Sequence, residues 1–484
     1  MMKKIYRSFA YASVILFLLL SVTAFAQKQI VNGTITDANG GALPGVNILL
    51  KGTNIGTTSD ANGAYSLEAK SDDVLVISFI GYKTQEVVVG NQTQIAVALE
   101  EDISTLDEIV VVGYGEQKKA LNTGANIQVK GEDLQKLSTT NALQALQGQA
   151  AGVQITSTSG QPGSAMKVTI RGLGTIGNSG PLYVVDGVLT GDITYLNNAD
   201  IESIDLLKDA ASAAIYGSQA ANGVVLVTTK KGKAGSARIT FDAFYGVQNV
   251  ARKADMLNTH EYASIMNEAA VNSGKLPYFT NDEIAAMTTS TNWMDEMFVE
   301  NAPTQSYSVG ASGGSESSLY SLSLGYLSQA GIVGGESLSN YDRYNFKINT
   351  EHKLYKDLVK IGQNLSFAYT NNNGIGVGNQ YNNTLRAAFG TSPFVPMYDA
   401  QGNFFDNSLS TWNNGEANPY ASMVYTNQNE SNNQRLLGNL YLEVEPLKGL
   451  KFRTSLGLDY SAGESHSFTP IYKLSIYFSN TKIP

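Results

Sequence analysis

Short apolar runs separated by turn residues fill residues 29–100. The runs are rich in β-branched and aliphatic side chains, which favour strands, and they give six strand candidates: residues 30–36, 46–51, 64–69, 74–80, 86–89 and 93–99. The turn sequence DANG stands between runs at 37–40 and again at 60–63. In the last run Ile95, Val97 and Leu99 alternate with alanine. The pattern predicts a small antiparallel β-sandwich.

Residues 234–484 show the alternation of a strand with one apolar side. Residues 320–326 (YSLSLGY) put large apolar side chains at every second position and small ones between them, and residues 452–460 (FRTSLGLDY) repeat the pattern with Thr454 in one outward position. Tight turns at 313–316, 354–357 and 446–449 contrast with long connections at 251–304 and 371–430. This predicts the strands of a transmembrane β-barrel, with Leu322 and Leu456 facing lipid and Ser323 and Ser455 facing the lumen. The alternative is a soluble β-sandwich with a polar outer face.

Between these regions stands the stretch LDEIVVVGYG, residues 106–115. Its run Ile109, Val110, Val111 and Val112 is too short for a core helix and favours a strand, and no alternating polar face accompanies it. Two interpretations remain open from the run alone. It is an ordinary buried strand, or it is an exposed strand to which a partner adds a strand of its own.

Composition and the N-terminus narrow the class of protein. The 484 residues contain no cysteine, which removes disulfides, thiolate metal sites and cysteine nucleophiles. The net charge is −9 and no long basic block occurs, which argues against nucleic acid as a partner. The apolar run at residues 10–26 follows Lys3, Lys4 and Arg7 and ends in Ala-Phe-Ala. We predict that residues 1–26 are a secretory signal peptide.

Candidate chemistry in residues 116–233 is weak. Residues 172–177 (GLGTIG) match the dinucleotide fingerprint, but a predicted strand at 182–185 follows, with no helix to face a pyrophosphate. Asp186 precedes Gly187, and this pair is typical of a turn and not of a catalytic acid. We therefore predict no catalytic residues, no metal site and no cofactor, and the protein is not expected to be an enzyme.

Two sets of motifs carry a resemblance to known families. GTITDANGGALPGVNILLKGT, GTTSDANGAYSL and ISFIGYKTQEV, within residues 29–99, resemble the carboxypeptidase regulatory-like domain. No zinc-ligand pair accompanies them, so the module is expected to be a non-catalytic accessory. EIVVVGYG, PLYVVDG and DIESIDLLKDAASAAIYGSQAANGVVLVTTKKG resemble the coupling and plug signature of the SusC/RagA-type TonB-linked outer-membrane transporters.

The resemblance implies a mostly β chain with an α+β plug. Its expected parts are the signal peptide (1–26), the regulatory-like β-sandwich (27–102), a TonB-box-like coupling segment (103–115), the plug domain (116–233) and the N-terminal part of a transmembrane antiparallel β-barrel (234–484). About eight strand candidates are visible, whereas plugged transporters close with about 22 strands. We therefore expect a longer protein.

The resemblance also implies a function and partners. The implied function is the plug-gated import of an oligosaccharide or oligopeptide across the outer membrane. The implied partners are TonB with ExbB–ExbD, which drives the import, and a SusD-type surface lipoprotein, which acts as a lid. The accessory domain is expected in the periplasm and the barrel in outer-membrane lipid. A secreted or surface β-rich adhesin that carries the accessory module is the alternative.

Site residues follow from the same resemblance. The residues expected to couple to TonB are Asp107, Glu108, Ile109, Val110, Val111, Val112 and Gly113. In the wider family, a basic residue after the first plug strand and another before the Ala/Gly-rich segment pair with barrel carboxylates. Arg171 matches the first position and Lys208 the second, where many relatives carry arginine. A lysine lacks the bidentate fork of arginine, so we expect the second contact to be weaker. A salt bridge within the plug is the alternative for both.

Overall fold

The computed structural model describes residues 29–37, 40–53, 55–79, 82–100, 109–112, 115–118, 126–137, 139–355, 358–378 and 383–481. The predicted signal peptide and three coupling residues, Asp107, Glu108 and Gly113, lie outside them. The chain forms two compact units, one comprising residues 1–110 and 117–123 and the other residues 111–116 and 124–484. Among the described residues, no helix is long and apolar enough to cross a membrane.

The first unit is a sandwich of two sheets. Its strands are β1 (Gln29–Asp37), β2 (Asn47–Leu50), β3 (Gly56–Thr58), β4 (Ala64–Ala69), β5 (Val74–Ser78), β6 (Gln85–Val88) and β7 (Val97–Leu99). The sheet orders are β4-β1-β7 and β3-β2-β5-β6. Alternate residues such as Val31, Ile35, Ile48, Leu75 and Ile77 are fully buried between the sheets. The predicted sandwich is confirmed, except that β1 and β7 pair in parallel and the short strand β3 was not predicted.

The coupling stretch contains two short strands, β8 (Ile109–Val112) and β9 (Gly115–Lys118). They form a two-stranded sheet with each other. Each strand of such a sheet has one edge without a strand neighbour in the described part of the chain.

Residues 126–230 form the α+β domain that the resemblance identifies as a plug. Its strands are β10 (Asn126–Lys130), β11 (Val153–Ser157), β12 (Met166–Ile170), β13 (Leu182–Val185), β14 (Val188–Thr190), β15 (Ile201–Leu207) and β16 (Val224–Thr229). Its α-helices are α1 (Gly131–Lys136), α2 (Ala142–Ala145) and α3 (Ala210–Ala213), with 3₁₀ turns at Asn198–Asp200 and Ala214–Ala220. The central sheet has the order β10-β15-β16-β13-β14, and β11 pairs with β12 in a separate hairpin.

The rest of the chain is one antiparallel sheet with long loops. Its seven strands follow in chain order: β17 (Gly235–Gln248), β18 (Ala302–Gly314), β19 (Ser318–Ala330), β20 (Asn340–Leu354), β21 (Val359–Asn373), β22 (Gln428–Leu447) and β23 (Leu450–Phe468). We call this sheet the barrel wall. Tight turns join β18 to β19, β20 to β21 and β22 to β23 at one end, and the connections at the other end are longer.

The longer connections carry the remaining elements. These are α4 (Thr259–Asn272), α5 (Asn281–Ala286), α6 (Trp293–Met297), α7 (Gly335–Leu338), α8 (Thr384–Gly390), α9 (Pro419–Thr426), a 3₁₀ turn at Asn407–Leu409, and the strand pair β24 (Tyr472–Lys473) and β25 (Ser479–Asn480). Trp412 contacts the aromatic rings of Tyr262, Phe279 and Phe394 and so joins two of these loops.

The two faces of the wall agree with the predicted alternation. Leu322 and Leu324 on β19 are exposed on the outer face, whereas Ser321 and Ser323 are buried on the inner face. On β23, a Cβ atom added to Gly457 would contact the Val188 side chain of the plug, so this position faces inward. The plug shares a hydrophobic core with the wall, which contributes Ala368 and Leu437 to it. The inner face of the wall is therefore covered by the plug.

Candidate functional site: the seam between plug and barrel wall

Strand β20 presents a row of hydrogen-bond donors to the plug. Its inward positions alternate with outward Tyr344, Phe346 and Ile348, as the two-residue period of a strand requires. At the end near the long loops, Arg343 Nη1 donates to Thr194 O at 2.5 Å. The next inward residue, Asn345, donates through Nδ2 to Tyr195 O at 2.7 Å. Both contacts hold the plug segment that follows β14.

Further along β20, two donors hold the end of plug strand β16. Lys347 Nζ donates to Asp200 O at 3.3 Å and to Lys230 O at 3.0 Å. Asn349 Nδ2 donates to Lys230 O at 2.9 Å and to Thr229 Oγ1 at 3.0 Å. Both side chains belong to residues that are at most 3% exposed. Buried polar groups of this kind are costly unless they are hydrogen-bonded, so the plug backbone supplies acceptors that the wall needs.

An arginine of the wall forms the densest contact of the seam. Arg435 on β22 donates from Nη1 to Asp192 Oδ2 at 2.6 Å and from Nη2 to Thr190 Oγ1 at 2.6 Å, both on the plug. It also donates from Nε and Nη2 to the two carboxylate oxygens of Asp459 on β23, at 3.1 and 2.8 Å. The guanidinium lies 4.5 Å from the ring centroid of Tyr195. We call these five residues the Arg435 cluster.

The turn between β13 and β14 is held from both sides. Asp186 has a φ of 48° and Gly187 a φ of 88°, the left-handed pair that a tight two-residue hairpin requires. The Asp186 carboxylate accepts from Thr229 N at 2.9 Å and from Thr229 Oγ1 at 2.6 Å. Asn439 of the wall donates to Asp186 O at 2.7 Å. The prediction that Asp186 belongs to a turn is confirmed, and the turn is also a contact with the wall.

Burial at the seam keeps two plug phenols neutral. Burial raises the pKa of Tyr183 to about 12, and the nearby Asp192 carboxylate adds to the shift. Burial also raises the pKa of Tyr195 above its usual range, and the Arg435 guanidinium partly opposes this. Both phenols therefore stay neutral to a higher pH than an exposed tyrosine does.

The two predicted plug cations are placed differently from the Arg435 cluster. Lys208 Nζ donates to Ala151 O at 2.9 Å, within the plug. Arg171 is exposed and has a φ of 58°. Among the described residues, neither of them forms an ion pair, and their role as plug-to-barrel contacts stays a prediction. Residues 172–177 lead into strand β13 without an intervening helix in the described structure, as the sequence indicated.

The functional residues that sequence reasoning missed lie on the wall. Arg435 is the one Lys or Arg of β22, and Arg343 and Lys347 lie on β20, where the outward positions between them are the aromatic Tyr344 and Phe346. An ionisable residue inside a membrane-spanning segment faces the interior and marks a functional position. That rule identifies all three residues without a structure, although it does not identify their partners.

An α+β domain seated on the inner face of an antiparallel wall, with tight turns at one end and long loops at the other, defines a plugged outer-membrane β-barrel. Comparisons with known proteins agree. Residues 31–111 match the model of the CarboxypepD_reg-like domain and residues 119–224 that of the TonB-dependent Receptor Plug Domain. The chain is 39% identical to TonB-dependent receptor P26 of Formosa agariphila over 453 residues, which cover 91% of this chain and 44% of the relative.

Two further relatives indicate which type of TonB-dependent receptor the chain resembles. TonB-dependent receptor SusC of Bacteroides thetaiotaomicron is 33% identical over 487 residues, covering 94% of this chain and 46% of SusC. The RagAB peptide importer in its open-open state superposes with a TM-score of 0.64 at 28% identity, covering 74% of this chain and 43% of that one. The chain belongs to the TonB-dependent receptors of the SusC type, a family of transporters and not of enzymes. It spans less than half the length of these relatives, and the family implies the outer membrane as its location.

Proposed function

We propose that the complete protein imports a large nutrient across the outer membrane, with the plug as its gate. The observation that carries the proposal is the seam, where the wall holds the plug through the Arg435 cluster and through the donors of β20. These contacts are many but individually breakable. A plug held in this way blocks the lumen until work is done on it.

TonB, with ExbB–ExbD, supplies that work in our proposal. The coupling segment is residues 103–115, and TonB adds a strand to Ile109–Val112 from the periplasmic side. The strand β8 supports this assignment because its sheet has only two strands in the described chain. A strand with an open edge offers backbone donors and acceptors to an incoming strand.

A SusD-type surface lipoprotein completes the transporter as a lid in this proposal, with an oligosaccharide or oligopeptide as cargo. The comparisons support the peptide class, since one solved relative is described as a peptide importer. The accessory domain of residues 27–102 lies in the periplasm. The alternative, a β-rich surface adhesin, makes no use of a plug held by the wall. An adhesin of that kind would be extracted without detergent, whereas a barrel protein is not.

The substitution Val111→Pro tests the coupling. Proline removes one backbone donor and fixes φ, so it cannot complete a ladder in the middle of a strand. Uptake of cargo should be lost while the amount of protein in the outer membrane and the binding of cargo remain. Val111→Thr, which keeps the donor, is the matched control and should import normally. Loss of protein, binding and uptake together in the proline variant would instead identify a buried structural strand.

A further inference from the structure

A polar cavity of about 290 Å³ lies between the plug and the wall. Plug residues from the β11–β12 hairpin form one side, and inward residues at the loop ends of β17, β19 and β20 form the other. Its volume is close to the lower end of the range for small-molecule sites, about 300 Å³. The cavity lies at the end of the wall that carries the long connections, opposite the tight turns.

One side of the cavity is a plug loop that direct contacts hold against the barrel wall. Gln161, in the hairpin loop, donates from Nε2 to Ile375 O at 2.6 Å, and Gly163 N donates to Gln329 Oε1 at 3.3 Å. Gly163 has a φ of 65°, and a Cβ atom added there would come within 2.2 Å of the Tyr341 ring. Only glycine allows this close approach, so the loop is fitted to the wall and fixes one side of the cavity.

The cavity carries one charge, and that charge is positive. None of the residues that line it is acidic, and Arg343 is the one cation among them. Arg343 is 4% exposed, and its Nε has no hydrogen-bond partner. Among the described residues, it also forms no ion pair. A buried guanidinium with hydrogen-bonding capacity left is costly, because both its charge and its donors have lost water.

The rest of the lining is suited to sugar hydroxyls. Side-chain amides of Asn141, Gln144 and Gln248 offer both donors and acceptors, and further hydroxyl side chains stand among them. Aliphatic side chains in the lining are confined to Met166 and Leu327, which leaves little for the apolar side chains of a peptide. Arginine recognises a carboxylate through charge-assisted hydrogen bonds.

We propose that this cavity binds a uronic-acid residue of an oligosaccharide cargo, with the sugar carboxylate on the Arg343 guanidinium. The proposal rests on the import function above and specifies its substrate class. A ligand carboxylate compensates the charge of the guanidinium, which has no carboxylate partner among the described residues, while the amides bind the ring hydroxyls. Thr194 O, which accepts from Arg343 Nη1, then orients the guanidinium towards the cavity.

The test uses the complete protein in detergent and calorimetric titration with four probes. These are trigalacturonate, its methyl ester, neutral maltotriose and triglutamate. Wild-type protein should bind trigalacturonate at least about tenfold more tightly than the ester, since hydrogen bonds to charged groups are worth that factor or more. Arg343→Gln should abolish this difference, and Arg343→Lys should retain part of it.

A matched control is Lys360→Gln, which removes a different cation of the wall. Lys360 pairs with Glu351 at 3.5 Å and does not line the cavity. The variant should keep the preference for the acid, which excludes an effect of net charge alone. Equal binding of acid and ester by wild-type protein, or no binding of either, overturns the proposal. This comparison needs no variant, so it stands even if Arg343→Gln fails to fold.

Two other results also overturn the proposal. One is a preference for the acid that survives Arg343→Gln. The other is Arg343-dependent binding of triglutamate without binding of the sugar acid, which would assign the cavity to acidic peptides. None of these results affects the import proposal, which is tested separately by the comparison of Val111→Pro with Val111→Thr.

Discussion

Removing the Arg435 side chain should loosen the plug in the complete protein. The guanidinium is 15% exposed and contacts Asp192 and Asp459, whose side chains are 44% and 23% exposed. Breaking a buried ion pair costs about 3–5 kcal/mol because it leaves an unpaired charge. An exposed pair is worth about 0–1 kcal/mol. Because the cluster lies between these limits, we expect Arg435→Ala to cost about 2 kcal/mol.

Hydrogen exchange measures that cost directly. A change of about 2 kcal/mol raises the open population of the segment roughly 30-fold. Amide exchange in residues 188–193, followed by mass spectrometry on the detergent-solubilised protein, should accelerate by the same factor. Exchange in the accessory sandwich is the internal reference and should not change. The affected segment is short because the donors on β20 and Asn439 remain in place.

Two further variants separate charge from shape. Arg435→Lys keeps the cation but loses the parallel contacts to Asp459, so it should accelerate exchange by less than Arg435→Ala does. Adding Asp192→Asn to Arg435→Ala removes one of the two carboxylates that lose their cation in the single variant. The double variant should therefore exchange more slowly than the sum of the single effects predicts. Unchanged exchange in Arg435→Ala, with normal assembly, would refute the conclusion that the Arg435 cluster holds the plug against the wall.

Two other predictions concern the wall and the plug core. Leu322→Arg should cost about 2–4 kcal/mol of folding free energy in a bilayer if this side chain lies near the midplane, whereas Ser323→Ala on the inner face should cost little. Refolding into lipid vesicles measures both costs. A larger cost for Ser323→Ala than for Leu322→Arg would contradict the assignment of the outer and inner faces. Because the pKa of Tyr183 is raised to about 12, its stabilising effect is complete below pH 10 and is lost as the pH rises towards 12. Tyr183→Phe should therefore flatten the alkaline fall of plug stability, and equal slopes for both proteins would contradict this.

Local pattern was enough for three of the plug strands. The sequence predicts strands at 182–185, 201–207 and 224–229, and the structure has all three with these bounds. For residues 141–149, where Leu143 and Leu146 share one face, the sequence predicts a short helix, and the observed helix is shorter, Ala142–Ala145. Gly148, with a φ of 77°, belongs to the turns that follow it.

Weak alternation explains the wall strands that were not predicted. In Gly235–Gln248 the outward stripe contains Ile239 and Phe241 but is interrupted by the small Ala243. In Ala302–Gly314 it mixes Tyr307 and Val309 with small and polar residues. The outward residues of such a strand differ little in hydrophobicity from its inward residues. Only pairing with a neighbouring strand specifies such strands, and that information is not local.

The pairs of residues in contact at the seam could not be predicted from the sequence, for a different reason. Arg435 and Asp192 are 243 residues apart. The strand period places Arg435 on the inner face, but it does not specify which plug residue lies opposite. The contacts expected from the resemblance run from plug cations to barrel carboxylates, and they stay predictions. The Arg435 cluster is a further contact of the opposite polarity, because it joins a barrel cation to a plug carboxylate.

That polarity matters for how the plug is released. The donors of β20 reach backbone carbonyls of Thr194, Tyr195, Asp200 and Lys230, which every plug sequence offers once it folds. Such contacts depend on the position of the plug backbone, and in the proposed import mechanism they are lost when TonB displaces it. The contact of Arg435 with Asp192 depends on two particular side chains instead. Substitutions in the plug can therefore tune the strength of this one contact while the backbone contacts keep the same register.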